Sequence, residues 1–384
     1  MIGLTGGVGV GKTTHIERLR EILWEQSRVV CVPIDYAHYG ELSSPPEITD
    51  FLLSLVGGFA EQAVALGDLP TDWDRRSVGV RLKDILGRLQ FPDLEAKFGV
   101  VGAEVTVQEL LREDESFRVL LRNHLRGRVS EVIREAQAYA GEISSAILRN
   151  KPNCGGVALV LDSTEKLSAP GADETTMHQA VRNLFVQNGD NLRLPECHTL
   201  YLLPPWVPVK VGIALRFTVM QFPTVRVIQR DGAPDPNGLS IMHEIVRRRI
   251  PDVEEFISRE DLQCLYSLSG GVQRALFRLL RNVARAARRA ERLPIESEIV
   301  SQAIAAEREG FLAITIEASP WLDLIARTGS LDGLPADGLT TLDSYFQSLA
   351  ILQYANGSKW YAIHPLLKDR LARAREVRQS PTGN

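Results

Sequence analysis

Residues 6–13 read GGVGVGKT, and this stretch decides the fold. It fits G-x-x-x-x-G-K-[ST]. A short apolar strand precedes it at residues 2–5 (IGLT), and a helical segment follows from about 12 to 25. That is the context the motif requires. The residue types answer the needs of a polyphosphate. Gly6, Gly7, Gly9 and Gly11 let the backbone wrap a phosphate with N–H groups pointing inward, and Val8 and Val10 extend the same cradle. The following helix presents its positive N-terminal end. Lys12 reaches the β- and γ-phosphates, Thr13 gives a hydroxyl to a magnesium ion, and Thr14 completes the set. A glycine-rich turn with a chance Lys-Thr is the rival reading, and the strand–loop–helix context argues against it.

Beyond that helix, residues 28–34 (RVVCVPI) read as a buried strand ended by Asp35 and Tyr36. Pro45 and Pro46 close a loop and open an apolar-periodic helix over about 47–66. Residues 67–150 carry no strong strand and look helical, ending in a long amphipathic helix over 129–148. The run VALVL at 157–161 has the continuous apolar character of a central parallel strand. A helix over about 174–187, a strand at 199–203 closed by Pro204 and Pro205, and a strand over 218–228 interrupted by Pro223 follow. From Asp231 (DGAPDPNG) the composition turns to loop and then helix. Residues 351–354 and 359–363 flank Asn356-Gly357, a strong hairpin cue. The fold class is α/β with a parallel sheet core.

Leu161 is followed by Asp162, Ser163, Thr164, Glu165, Lys166 and Leu167. An aspartate at the C-terminal end of a buried strand beside such a loop holds magnesium through water. Glu165 is the candidate base that polarises the attacking water, against the alternative of a solvated turn carboxylate. The expected ligand is ATP or GTP with Mg²⁺, ATP being preferred, and the expected reaction is hydrolysis of the β–γ phosphoanhydride.

The bulk numbers bound the rest. A chain of 384 residues suits two or three domains. Hydrophobic residues make up 44 % and charged residues 24 %, an ordinary globular balance. The net charge of −4 gives no global positive field to pull the chain onto nucleic acid or an acidic membrane, though local basic patches stay open. Cys31, Cys154, Cys197 and Cys264 have neither pairing nor metal-ligand spacing, as expected of reduced thiols in a cytoplasmic protein. No apolar run is read as approaching the ~18 residues of a membrane span, and the N-terminus lacks the basic start of a signal peptide.

With these motifs in hand, the chain resembles AAA+ and STAND-type P-loop ATPases. The four strands after the loop fit that core, and DSTEKL at 162–167 is similar to the hhhhDxxD pattern of STAND NTPases. Ser269-Gly270-Gly271-Val272-Gln273-Arg274 looks like the start of the sensor-2 helix in origin-recognition-type members. The resemblance gives Arg274 a contact to the γ-phosphate and a catalytic role beside Lys12 and Glu165. It implies a nucleotide core over 1–232 with a helical insertion at about 67–128 and a helical lid over 233–293. A winged-helix-like domain would follow over 294–376; the tail over 377–384 is polar by composition and from Arg378 reads as frayed. It also implies a nucleotide-driven conformational or assembly switch acting as a homo-oligomer or with a protein partner, of the kind found in prokaryotic signalling and antiviral defence.

Three departures from the family stand out. The strand ending at Pro204 offers no obvious polar sensor-1 residue, and Arg216, in the broad region of an arginine finger, is read as a surface charge. Only five residues precede Gly6, where relatives usually have a segment that cradles adenine, so the start is truncated or base recognition comes from elsewhere.

Arg274, Arg278, Arg281, Arg285, Arg288 and Arg292 fall on one helical face, which points either to an anionic partner or to a solvated surface. The hairpin carries only Lys359 as a cation, followed by Trp360-Tyr361, aromatics that suit packing or a protein partner better than DNA, and His364 reads as structural. Rival functions remain open. MIGLTGGVGVGKTT closely resembles the start of dephospho-coenzyme A kinases, a small-molecule kinase family, but those chains are shorter and lack the SGG lid. A nucleotide-binding scaffold that does not hydrolyse is the second rival. A ParA-like partitioning ATPase is weaker, because that class needs a lysine early in its loop where this chain has Thr5-Gly6-Gly7.

Overall fold

The computed structural model describes residues 1–73, 75–91, 107–167, 174–211, 214–311, 314–315, 317–334 and 342–379. By internal contacts the chain divides into two compact units. One comprises Met1–Thr5 and Thr13–Met220, the other Gly6–Lys12 and Gln221–Asn384.

The first unit is built on a parallel sheet. Its strands are β1 (Ile2–Thr5), β2 (Val29–Asp35), β3 (Gly156–Asp162), β4 (His198–Leu203) and β5 (Thr218–Gln221), in the order β2-β3-β4-β1-β5. The acid-bearing β3 is thus separated from the loop strand β1 by β4. Register fixes what meets at the sheet's C-terminal edge. Leu161 pairs with Tyr201 and Thr5 with Leu203, so Asp162 ends level with Leu202, one place from the end of β1. β3 is buried at every position after Gly156, as a central strand covered on both faces must be.

Helix α1 (Lys12–Ser27) follows the loop, and α2 (Ile48–Ala65) supplies much of the core. Phe51, Leu52, Leu53, Leu55, Val56 and Phe59 on α2 are fully buried, each worth about 1.5–3 kcal/mol of burial. Phe51 touches the rings of Tyr36, Phe185 and Tyr201 at centroid distances of 5.1, 6.2 and 6.5 Å. This helix corrects one expectation. It is 18 residues long with a mean hydropathy of 1.2, enough to cross a membrane by length and composition, yet 72 % of it is buried here. It is buried along most of its length because β2 and neighbouring helices enclose it.

The stretch between α2 and β3 is helical where described, with α3 (Arg75–Arg88), α4 (Val107–Glu113), α5 (Glu115–Leu125) and α6 (Val129–Asn150); residues 92–106 of the expected insertion lie outside the described residues. Arg122 on α5 ties this layer to α2 through an ion pair to Asp50 at 2.6 Å. The helix expected over 174–187 is α7 (Glu174–Arg182) continued by one wide turn, Asn183–Gln187. The strand expected over 218–228 stops at Gln221. Pro223 has no N–H for a ladder, and Ile228 makes only an isolated bridge to Pro234.

In the second unit α8 (Pro236–Arg247) starts at an Asp235 cap, whose Oδ1 accepts from Gly238 N–H at 3.1 Å, with proline in its first turn. Helices α9 (Arg259–Leu268), α10 (Gln273–Ala290) and α11 (Ser297–Glu309) follow. Glu307, 8 % exposed, joins α11 to α10 by accepting from Arg278 and from Asn282 at 2.7 Å. After α12 (Ser319–Thr328) and α13 (Leu342–Gln347), β6 (Ile351–Asn356) and β7 (Ser358–Ile363) form the expected antiparallel hairpin, reversed at Gly357. Trp360 stacks on Tyr354 at 4.6 Å, and the Tyr354 hydroxyl donates to Gly270 O at 2.8 Å.

His364 is fully buried. Its Nδ1 accepts from Leu366 N–H at 3.3 Å, and burial lowers its pKa to about 3, with Arg278 adding to the effect. Helix α14 (Lys368–Gln379) takes in the first residues, 377–379, of the expected tail. Arg378 donates to Asp323 Oδ2 and Ser319 Oγ, both at 3.2 Å, while residues 380–384 lie outside the described residues. All four cysteines are free, and burial pushes the Cys31 and Cys197 thiols up to about 12, which keeps them protonated.

Candidate functional site

The glycine loop has the backbone its sequence demands. Gly9 and Gly11 sit at φ 76° and 98°, in the left-handed region where a side chain is strained. Val10, 4 % exposed, anchors the loop by burial, while Thr14 is exposed on the first turn of α1. Lys12 is only 5 % exposed, and its ammonium donates to Gly6 O at 3.1 Å and Gly7 O at 3.0 Å. The lysine is thus folded along its own loop, already where a phosphate cradled by that loop would meet it.

The acid half of the site forms as the strand order dictates. The Thr13 hydroxyl donates to Asp162 Oδ2 at 2.6 Å, and Asp162 Oδ1 accepts from Ser163 N–H at 2.7 Å. These two oxygen donors, expected to share one magnesium ion, therefore lie within hydrogen-bond reach of each other across 149 residues of sequence. A hydroxyl beside a carboxylate is also the hard-oxygen donor chemistry that Mg²⁺ prefers.

Ser163 stands at φ 69°, a left-handed conformation that costs a residue with a side chain about 1–2 kcal/mol. Strain of this kind concentrates at functional sites. It turns the chain into a short 3₁₀ turn, Thr164–Lys166, held by Thr164 Oγ1 donating to Leu202 O and Lys166 Nζ donating to Ser163 Oγ at 2.7 Å. Glu165 sits in that turn at 7 % exposure, so it is buried rather than a solvated turn carboxylate.

The lid motif meets the loop. Arg274 N–H donates to Gly9 O at 3.1 Å. A Cβ on Gly9 would lie 2.5 Å from Arg274 Cβ and 3.3 Å from its Nε. The Gln273 amide packs beside Gly11, its Oε1 3.1 Å from where a Cβ would stand. The first two residues of α10 therefore rest on the two positive-φ glycines, which only glycine permits at that distance.

Other sequence candidates fall elsewhere. Arg216 pairs with Asp190 at 2.9 Å with its side chain 70 % exposed, a surface ion pair. The end of β4 presents Leu202 and Leu203 before the prolines, so no polar sensor-1 side chain stands there. Two neighbours escaped sequence reading. Gln273 is one, visible only as the residue before Arg274. Asp35 is the other: it pairs in register with Asp162 across β2 and β3, so both carboxylates stand on the same sheet face. An aspartate at the end of β2 was the available signal.

No family model matches the chain, and no curated protein matches it. Solved structures do. Cdc6p from Pyrobaculum aerophilum is 16 % identical, with 98 % of this chain and 88 % of that chain covered and a TM-score of 0.37. The ORC2 protein of Aeropyrum pernix in its ADP form is 12 % identical, with 100 % and 89 % covered and a TM-score of 0.40. The same protein in ADPNP–ADP complexes is 12 % identical, with 99 % and 88 % covered and a TM-score of 0.37. At that distance the likeness carries no argument, and what stands is the chain's own features: an α/β fold with a parallel sheet, a glycine loop of P-loop sequence and the Thr13–Asp162 pair.

Proposed function

We propose that this protein is a Mg²⁺-dependent ATPase in which the nucleotide's terminal phosphate sets the position of the lid helix α10. The observation that carries the reading is the 2.6 Å pairing of Thr13 with Asp162, at the end of a loop whose glycines are already contacted by Arg274 and Gln273. The loop N–H groups and the Lys12 ammonium would take the β- and γ-phosphates. Thr13 and Asp162 would hold the magnesium ion, which when bound neutralises phosphate charge. Glu165 would orient a water molecule and accept its proton as the oxygen adds to the γ-phosphorus and ADP leaves. The Arg274 guanidinium would exchange its place over Gly9 for the γ-phosphate, so hydrolysis would release the lid. A switch of this kind is read out by a partner, another copy or a different protein, and the hairpin domain, winged-helix-like in its order of elements, belongs to that readout.

The experiment is phosphate release without any acceptor, in wild type, Asp162→Ala and Glu165→Gln. The proposal expects turnover in wild type and its collapse in Asp162→Ala. In Glu165→Gln, binding should persist with turnover slowed by about 10²-fold. Wild-type turnover in Glu165→Gln would remove Glu165 as the base. The apolar end of β4 favours one second reading, a nucleotide-binding scaffold, which predicts ATP binding with no phosphate release in any of the three proteins.

A further inference from the structure

The second unit carries an apolar groove that the nucleotide chemistry does not use. One wall is α10, through Leu280, Ala284 and Ala287; the other side is made by Ile250, Phe256 and Leu293 among others, around a cavity of about 770 Å³. Leu293 is 68 % exposed, Phe256 40 % and Ile250 38 %, so three of the large apolar side chains that remain in water converge on this one place. Burying such side chains is worth far more than leaving them wet.

The groove is charged on one side. Arg281, Arg285 and Arg288 recur at helical spacing along α10, one residue round from Leu280, Ala284 and Ala287. All three arginines are exposed, and among the described residues none has an acidic partner. Arg292 beyond them pairs with Glu296 at 3.0 Å, and Arg278 before them pairs with Glu307. The unneutralised stretch therefore coincides with the part of α10 that borders the groove. Across the cavity the turn bearing Val253 and Phe256 carries Glu254 and Glu255, and Glu291 stands at the groove's end. Like charges spaced along a helix repel unless anions stand opposite.

We propose that this groove is the docking site for an amphipathic helix of a partner protein, apolar on one face and acidic along the flank that meets Arg281, Arg285 and Arg288. An apolar floor gives phosphates nothing, and Glu254 and Glu255 repel a nucleic acid backbone, so nucleic acid does not fit. A second copy of this chain fits poorly too. Val80 and Val119, two other exposed apolar side chains on its helices, stand among charges of both signs, Arg81, Lys83 and Asp84 for the first and Glu115 and Arg122 for the second, rather than along an acidic flank. Helix-in-groove recognition reads apolar anchors at i, i+4 and i+7, and the 280-to-290 span of α10 is long enough for about three turns of such a helix.

The test uses the full chain and a fluorescent helical peptide of about 16 residues, with Leu at i, i+4, i+7 and i+11 and Glu along one flank. A control peptide carries Lys in place of Glu. The variants are the triple Arg281→Ser, Arg285→Ser, Arg288→Ser, and Ala284→Trp, which fills the groove. These positions are exposed, so unchanged thermal unfolding marks intact proteins; if the triple variant unfolds early, Arg285→Ser alone takes its place. The proposal expects saturable anisotropy in the micromolar range, weakened about tenfold by the Lys flank and by each variant. No saturation up to about 1 mM, equal binding of both peptides, or insensitivity to the variants would overturn it. So would a duplex oligonucleotide that binds wild type but not the triple variant, or self-association that Ala284→Trp abolishes.

Discussion

Gly9→Ala puts the contact between loop and lid under direct strain. At φ 76° an added Cβ meets the left-handed penalty of about 1–2 kcal/mol. The same Cβ would lie 2.5 Å from Arg274 Cβ, far inside contact distance, so the start of α10 has to withdraw. Withdrawal also gives up the Arg274 N–H to Gly9 O hydrogen bond at 3.1 Å, worth about 1 kcal/mol. The sum is a loss of about 2–3 kcal/mol. Gly232→Ala is the control in the same unit: its φ is 87°, and nothing lies within 4 Å of its Cβ position, so it carries the backbone penalty alone. Urea unfolding of the two variants should separate them by about 1 kcal/mol or more, with Gly9→Ala the weaker. Equal loss in both would mean that the lid does not rest on the loop in solution, and the coupling of nucleotide to α10 would fall with it.

Stability should also fall with acid through His364. Its folded pKa, about 3, lies below the ordinary 6.5, so the unfolded chain binds the extra proton. The loss begins as pH falls through 6.5, continues toward 3, and amounts to about 2 kcal/mol between pH 7 and 5; unfolding curves at those pH values should show it, and His364→Asn should flatten the dependence. Glu307→Ala removes the acceptor shared by Arg278 and Asn282 and should lower stability by about 1–3 kcal/mol, with Glu307→Gln losing less. An Asn282→Ala, Glu307→Ala double variant should then lose less than the sum of the singles, because the two side chains share one hydrogen bond; strict additivity would speak against the network.

The loop, the central strands and the Thr13–Asp162 pair were legible because each is dictated locally. The glycine pattern sets the turn, VALVL sets a doubly covered strand, and an aspartate at its end has one edge to occupy. The hairpin was legible for the same reason, from Asn356-Gly357 between apolar runs. What escaped depends on the third dimension. Asp35 joins Asp162 only through the register of β2 on β3, and register is not written in either strand. Gln273 reaches Gly11 because α10 starts there, and a neutral amide carries no charge or periodic signal of that approach. Arg378 looked like part of a loose tail because Asp323 and Ser319 are more than 50 residues away in sequence. The helix expected over 47–66 is there as α2, but Asp50 and Glu61 interrupt its apolar run, so the span-like hydropathy of the whole helix went unread.

The most direct test of the central claim is calorimetric titration of ATP in the presence of Mg²⁺, for wild type and Lys12→Ala, with turnover measured on the same preparations. Lys12 lies in the loop with its ammonium held on Gly6 and Gly7, so its loss leaves the β- and γ-phosphates without their cation. Saturable binding by wild type, with binding or turnover abolished in a folded Lys12→Ala, is the predicted result. Unchanged affinity and unchanged turnover in Lys12→Ala would contradict the assignment of this loop as the nucleotide site.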